Sequence, residues 1–254
     1  MSVRVGLASG LLAPASVLAD HQHGMVDARP ESTSFGVGLS FVAAQFDTML
    51  YGGDYQGCVP SFRWSTGRFA AAADVGAYRL QENGRARFGL ADPVVRGQFI
   101  VISSGRSSAG VVAAVSLPTG DERSGLGMGH AMGMPAAWGR WSDARFALDG
   151  SLGYAGGLRA GTSHDSHAAW PLVDPMNHSE FTWSARGDVA FVRDLRAGAM
   201  IHGANPIGDG TTRVVVGARV LWHASRVDSA FELQSGIVGD LFTVRGVAEM
   251  SLRF

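Results

Sequence analysis

The chain has 254 residues with 21 basic and 22 acidic side chains, a formal net charge of −1, and every cation is Arg. That balance carries no basic footprint for nucleic acid. Charged residues make up only 17% and glycine contributes 35 positions, a composition better suited to a lipid-facing sheet than to a soluble enzyme. A single cysteine, Cys58, excludes an internal disulfide and any cysteine-built zinc site; it is assigned to the barrel wall inferred below.

Residues 1–19 read as a secretory signal, with Arg4 as the charged start, a small-residue apolar stretch over 5–18, and cleavage after Ala19. The apolar stretch is shorter than the ~20 residues a spanning helix needs. Residues 20–34 form a periplasmic tail carrying His21, His23 and Met25.

From residue 35 onwards, segments alternating at a period of two recur between turn-rich breaks, which predicts strands. They cover 35–49, a second running to 64, then 68–80, 88–102, 110–117, 130–141, 145–158, 178–192, 198–203, 211–224, 229–237 and 240–254. The first puts Phe35, Val37, Leu39, Phe41 and Ala43 on one face. Breaks near 65–67, 103–107, 142–144, 193–197 and 225–228 are short, whereas 81–87, 118–129, 159–177 and 205–210 are mostly longer. Short turns at one end and long loops at the other are the pattern of an antiparallel up-and-down transmembrane β-barrel, here over 35–254 with about 12 strands. An even strand count brings both termini to the periplasmic side. A soluble β-sandwich is the alternative architecture.

In the last segment Phe242, Val244, Gly246, Ala248, Met250, Leu252 and Phe254 share one face, and Thr243, Arg245, Val247, Glu249, Ser251 and Arg253 share the other. It resembles the closing strand of outer-membrane barrels of Gram-negative bacteria. The resemblance implies that Phe254 is the signal read by the barrel-assembly machinery. Tryptophans 64, 138, 141, 170, 183 and 222 fall near strand ends, where interfacial girdles form.

An Arg at the lipid midplane costs ~2 to 4 kcal/mol, so mid-strand arginines should face inward. Arg63, Arg79, Arg96, Arg186, Arg213, Arg219 and Arg245 are therefore assigned to the interior, with Asp74, Glu232 and Glu249 as acidic partners; Arg245 and Glu249 line the lumen. Nothing has the spacing of a nucleophile elbow, a zincin helix or a phosphate loop, and the adjacent His164, Asp165, Ser166 and His167 do not make a triad. No catalytic residue and no enzyme activity are expected.

Met128, His130, Met132 and Met134 lie at alternate positions and so share a face. Thioether and imidazole groups suit copper, the thioether preferring the reduced ion. The candidate ligand set is His130, Met132, His164, His167, Met176 and His178, with His202 on the adjacent strand top; incidental residues are the competing reading. No other cofactor is expected.

Two further segments carry a more specific resemblance: Phe88-Gly89-Leu90-Ala91-Asp92-Pro93, and Ser116-Leu117-Pro118-Thr119-Gly120-Asp121 followed by Gly125-Leu126-Gly127. They resemble the strand start and loop entry of the outer-membrane transporter family linked to the meta-pathway of phenol degradation, with Ala91 in place of that pattern's second glycine. The resemblance implies a porin-like channel for small, often hydrophobic solutes. The expected partners are thus the lipid bilayer, the assembly machinery and a small-molecule solute. A copper-binding or copper-exporting barrel is the alternative, and a barrel enzyme the third reading.

Overall fold

The computed structural model describes residues 33–47, 52–158, 179–239 and 242–254. Fourteen strand segments follow one another: β1 Ser34–Asp47, β2 Gly52–Thr66, β3 Phe69–Asp74, β4 Ala77–Glu82, β5 Arg85–Leu90, β6 Val94–Ser104, β7 Ser107–Ser116, β8 Met132–Ser142, β9 Phe146–Gly157, β10 Ser179–Val192, β11 Leu195–Pro206, β12 Arg213–His223, β13 Val227–Val238 and β14 Val244–Arg253. All pairings are antiparallel, mostly between chain neighbours; β2 pairs with both β3 and β4, β3 with β6, and β1 closes on β14. β3 and β4 continue one barrel strand, as do β5 and β6, so the wall has twelve strands. Among the described residues the only helical turn is the single 3₁₀ turn Glu122–Ser124.

Alternation decides which side chains meet water and which meet lipid. On β14, Val244, Ala248, Met250 and Leu252 are exposed on the outside, while Arg245, Val247, Glu249 and Ser251 are buried inside. Residues 244–254 extend about 34 Å and, at a strand tilt of about 40°, span about 26 Å along the membrane normal, the height of an apolar band. Phe41, Phe62, Phe99, Val111, Leu152, Ile201, Val220 and Phe231 continue that band around the wall. No helix among the described residues is long and apolar enough to cross a membrane; the strands do so instead.

The connections have the predicted phase. Tight turns join β2 to β3, β6 to β7, β8 to β9, β10 to β11 and β12 to β13, at the end where Phe254 donates its N–H to the Phe35 carbonyl at 2.9 Å. The opposite end carries the longer connections. One of them departs from expectation, because residues 81–87 do not form a loop. Asn83 and Gly84 both have positive φ, 47° and 79°, and make a two-residue hairpin between β4 and β5. That turn matches the twist of its flanking strands and demands two left-handed residues.

Two expected strands are each interrupted. The segment 68–80 breaks at Val75-Gly76, and 88–102 breaks at Ala91-Asp92-Pro93. Pro93 has no N–H for the ladder, and the breaks lie side by side, bridged by the Ala91 N–H to the Gly76 carbonyl at 2.8 Å. The strand expected at 198–203 is longer, Leu195–Pro206, because its outer residues still find ladder partners.

Three side-chain assignments change. Arg79 lies on the outer wall, between inward Tyr78 and Leu80, and reaches Asp54 at 2.8 Å and Gln56. With Gln45, Asp47 and Gln81 it forms a polar belt just beyond Phe41, so its charge sits above the apolar band. Phe242 is buried on the lumen side, with the Arg245 guanidinium 4.2 Å above its ring, because the period of two begins only at Val244. Trp138 is also an interior residue, packed with Ile100 and Val112. Trp64, Trp141 and Trp222 face outward near the Phe254 end, and Trp183 does so near the other, its indole N–H donating to Asn205 at 2.9 Å. Trp170 lies outside the described residues.

Candidate functional site in the barrel lumen

The inward face places almost every buried charge beside its opposite. Glu249 accepts from Arg63 at 2.5 Å, Glu180 from Arg213 at 2.8 Å, and Asp74 pairs with Arg96. Arg219 is the hub: Nε and Nη2 meet the two carboxylate oxygens of Asp188 at 2.8 and 2.5 Å, with Glu232 at 3.8 Å and Asp149 at 4.0 Å. Arg245, 1% exposed, donates to Gln234 at 2.7 Å, and Gln234 in turn donates to Glu232 at 2.9 Å. Burial of a charge is tolerable only with such pairing. Arg245 and Glu249 thus line the lumen as assigned. The acidic partners Asp149, Glu180 and Asp188 were not singled out in the sequence, although alternation from Arg186 places Asp188 and Glu180 on its face.

Towards the outer end the lining changes character. Val42, Ala44, Phe46, Tyr55, Tyr78, Leu80, Val215, Phe242 and Val247 form one buried apolar cluster, and Leu126 from the connection between β7 and β8 joins it. That connection is hooked to the wall by one carboxylate. Asp92, 4% exposed at the break between β5 and β6, accepts the Gly120 N–H through Oδ1 and the Met128 N–H through Oδ2, both at 2.7 Å. The loop between these anchors contains the 3₁₀ turn, capped by Asp121 and ended by left-handed Gly125.

This arrangement explains why the two motif segments have their composition. A Cβ on Gly89 would stand 2.7 Å from Leu126 Cδ1, and one on Gly120 would stand 2.7 Å from the Leu126 carbonyl oxygen and 2.9 Å from the Asp92 nitrogen. The segments resembling the phenol-pathway transporters therefore meet at a single point. Asp92 went unassigned because alternation says nothing about a residue lying in a strand break. The Asp-Pro step inside an otherwise regular strand was the available signal.

Of the copper-type residues, His130 and Met132 are buried. Met132 packs with Met128, whose sulfur is 3.9 Å from the Ser116 hydroxyl, and Met134 packs separately with Ala114 and Ala155. His202 is buried on β11. His164, His167, Met176 and His178 lie outside the described residues. Among the described residues no three His, Cys, Asp or Glu side chains come together as a metal cluster.

No protein-family pattern matches the chain, and no curated sequence is significantly similar to it. Solved structures do share its fold. An outer-membrane channel from Pseudomonas putida F1 superposes with a TM-score of 0.67 at 11% identity, over 90% of this chain and 97% of that one. The translocator domain of the autotransporter NalP from Neisseria meningitidis gives 0.57 at 10% identity, over 90% of each chain. The KdgM porin gives 0.55 at 9% identity, over 85% of this chain and 99% of that one. The fold is that of outer-membrane β-barrels.

Proposed function

We propose that this protein is an outer-membrane channel for small molecules, and that its solutes are small and apolar, as in the phenol-degradation transporter family that its two motifs resemble. The observation that carries this reading is the division of the lumen. At the outer end Phe46, Tyr55, Tyr78, Leu80 and Phe242 give a solute one apolar sector of wall, while ion pairs such as Arg213–Glu180 occupy another. Contact with such a lining removes apolar surface from water at roughly 25 cal/mol per Å², which favours aromatic or aliphatic solutes over sugars. The similarity to a channel and a porin supports the transport reading; that to a translocator domain supports only the shared wall. No reaction is proposed. Phe254, exposed beside Phe35 at the foot of the seam, is the natural contact for the assembly machinery.

The test is reconstitution. Planar bilayers holding the refolded barrel should show discrete conductance, and proteoliposomes should take up a neutral monoaromatic faster than a disaccharide. A folded barrel that passes neither ions nor solute would sink the proposal. A barrel favouring the sugar would remove its apolar part.

A copper-associated barrel is the second reading, favoured by the packing of Met128 on Met132 beside buried His130. Cu(I) titration followed by tryptophan fluorescence decides it. An identical response in a variant lacking His130, His164, His167 and His178 would end it.

A further inference from the structure

The connection between β7 and β8 is unusual in how it is held. Gly120 and Met128 lie 28 and 36 residues beyond Asp92, yet both of their amides converge on its carboxylate. The loop between them sends Leu126 into the apolar cluster, where it is 1% exposed against the bare Cα of Gly89. The opposite face of the same loop is polar and open, with Asp121 and Glu122 exposed. One apolar side chain is thus inserted into the apolar cluster on a loop whose two ends, at Gly120 and Met128, are tied to one carboxylate.

The geometry points to Leu126 as an internal stand-in for the solute, a plug that an apolar molecule must displace, and to Asp92 as the hook that sets how readily the plug withdraws. This inference rests on the apolar-channel reading above and adds its gating residues. The chemistry is reversible exchange: the apolar lining loses its contact with Leu126 and gains equivalent contact with the solute, so the solute leaves water as Leu126 enters it and the net apolar exposure changes little. Withdrawal is opposed by the pair of hydrogen bonds to a charged acceptor, each of a strength that corresponds to roughly a tenfold to hundredfold bias towards the closed loop.

The experiment reads the loop and the transport separately. In a Cys58→Ser background, Leu126→Cys provides a single thiol, and a bilayer-impermeant maleimide is added to proteoliposomes. Labelling should be slow with Asp92 intact, at least about tenfold faster with Asp92→Ala, and intermediate with Asp92→Asn, which keeps one acceptor oxygen. Equal labelling in all three, or fast labelling with Asp92 present, overturns the hook. Folding is checked by heat-modifiable electrophoretic mobility. Should the Asp92 variants not fold, Leu126→Ala decides: it leaves the hook untouched and should raise monoaromatic uptake severalfold, and unchanged or slower uptake overturns the plug. If labelling responds to Asp92 while no variant passes solute, the hook stands and the channel reading fails.

Discussion

Replacing Arg219 by Met tests whether the lumen is a packed interior or a wet one. The guanidinium makes a two-pronged contact with Asp188 and stands within 4.0 Å of Glu232 and Asp149. Its side chain is 1% exposed and that of Asp188 0%. At an effective dielectric near 20, opposite charges about 4 Å apart attract by about 4 kcal/mol. Removing one partner of a buried pair costs about 3 to 5 kcal/mol, because the other charge stays desolvated. A pair in open water would cost at most about 1 kcal/mol. Arg219→Met should therefore lower the urea midpoint of the vesicle-reconstituted barrel, followed by tryptophan fluorescence, by an amount equivalent to about 3 to 5 kcal/mol. The double variant Arg219→Met with Asp188→Leu should recover much of that loss, since it removes the stranded carboxylate. A single variant within about 1 kcal/mol of the parent would refute the packed interior and indicate water-screened pairs.

Ala248 faces lipid between Phe41 and Phe231. Ala248→Arg should cost about 2 to 4 kcal/mol of stability in vesicles, whereas a change within measurement error would move β14 out of the apolar band. Gly84, at φ 79°, closes the hairpin from β4 to β5 with open space around it. Gly84→Val should lower the unfolding free energy by about 1 to 2 kcal/mol from backbone strain alone; an unaffected midpoint would mean that the hairpin conformation is not required. Asp143, in the turn from β8 to β9, accepts the Phe146 and Arg145 amides at 2.7 and 2.8 Å, and these bonds hold its pKa below the ordinary carboxylate range. A folded value below the unfolded one means that the turn is fully supported above the ordinary Asp range and loses that support as pH falls through the lower folded value. Protection of the Phe146 amide from hydrogen exchange, taken relative to its intrinsic rate at each pH, should fall on acidification across that window, and Asp143→Ala should abolish that fall; a variant that keeps it would refute the assignment.

The wall was legible because it obeys one rule. Lipid outside and polar groups inside force a period of two, and residues 244–254 show it without interruption. Orientation came with it, since turn length alternates around the meander, the short β4–β5 hairpin excepted. What escaped the sequence were heights and interruptions. Arg79 alternates correctly within its strand, but no periodicity says how far along the membrane normal it lies, so an outward arginine above the apolar band looked like an inward one within it. Phe242 is two residues from a faithful alternation and belongs to the turn preceding it. At the candidate site both motif segments were visible as sequences, yet the convergence of Gly120 and Met128 on Asp92 depends on two breaks in adjacent strands. Backbone contacts of that kind leave glycines as their trace, not the identity of the carboxylate they serve.

The seam between β1 and β14 bears on how the barrel is made. Ten residues of β1, from Gly36 to Gln45, find partners on β14 that lie about two hundred positions away in the chain. Loop closure over such a distance is entropically unfavourable before any contact compensates it, and topologies dominated by distant pairings are correspondingly slow to form. Until that final ladder is laid down, β1 and β14 each present a row of unsatisfied amides and carbonyls, the feature by which sheets recruit strangers. One ion pair of the interior also waits on this step, because Arg63 and Glu249 sit on opposite sides of the seam and cannot meet earlier. Closure is thus where shape and charge become correct together, and an intermediate halted just before it would hold both an open edge and a stranded charge.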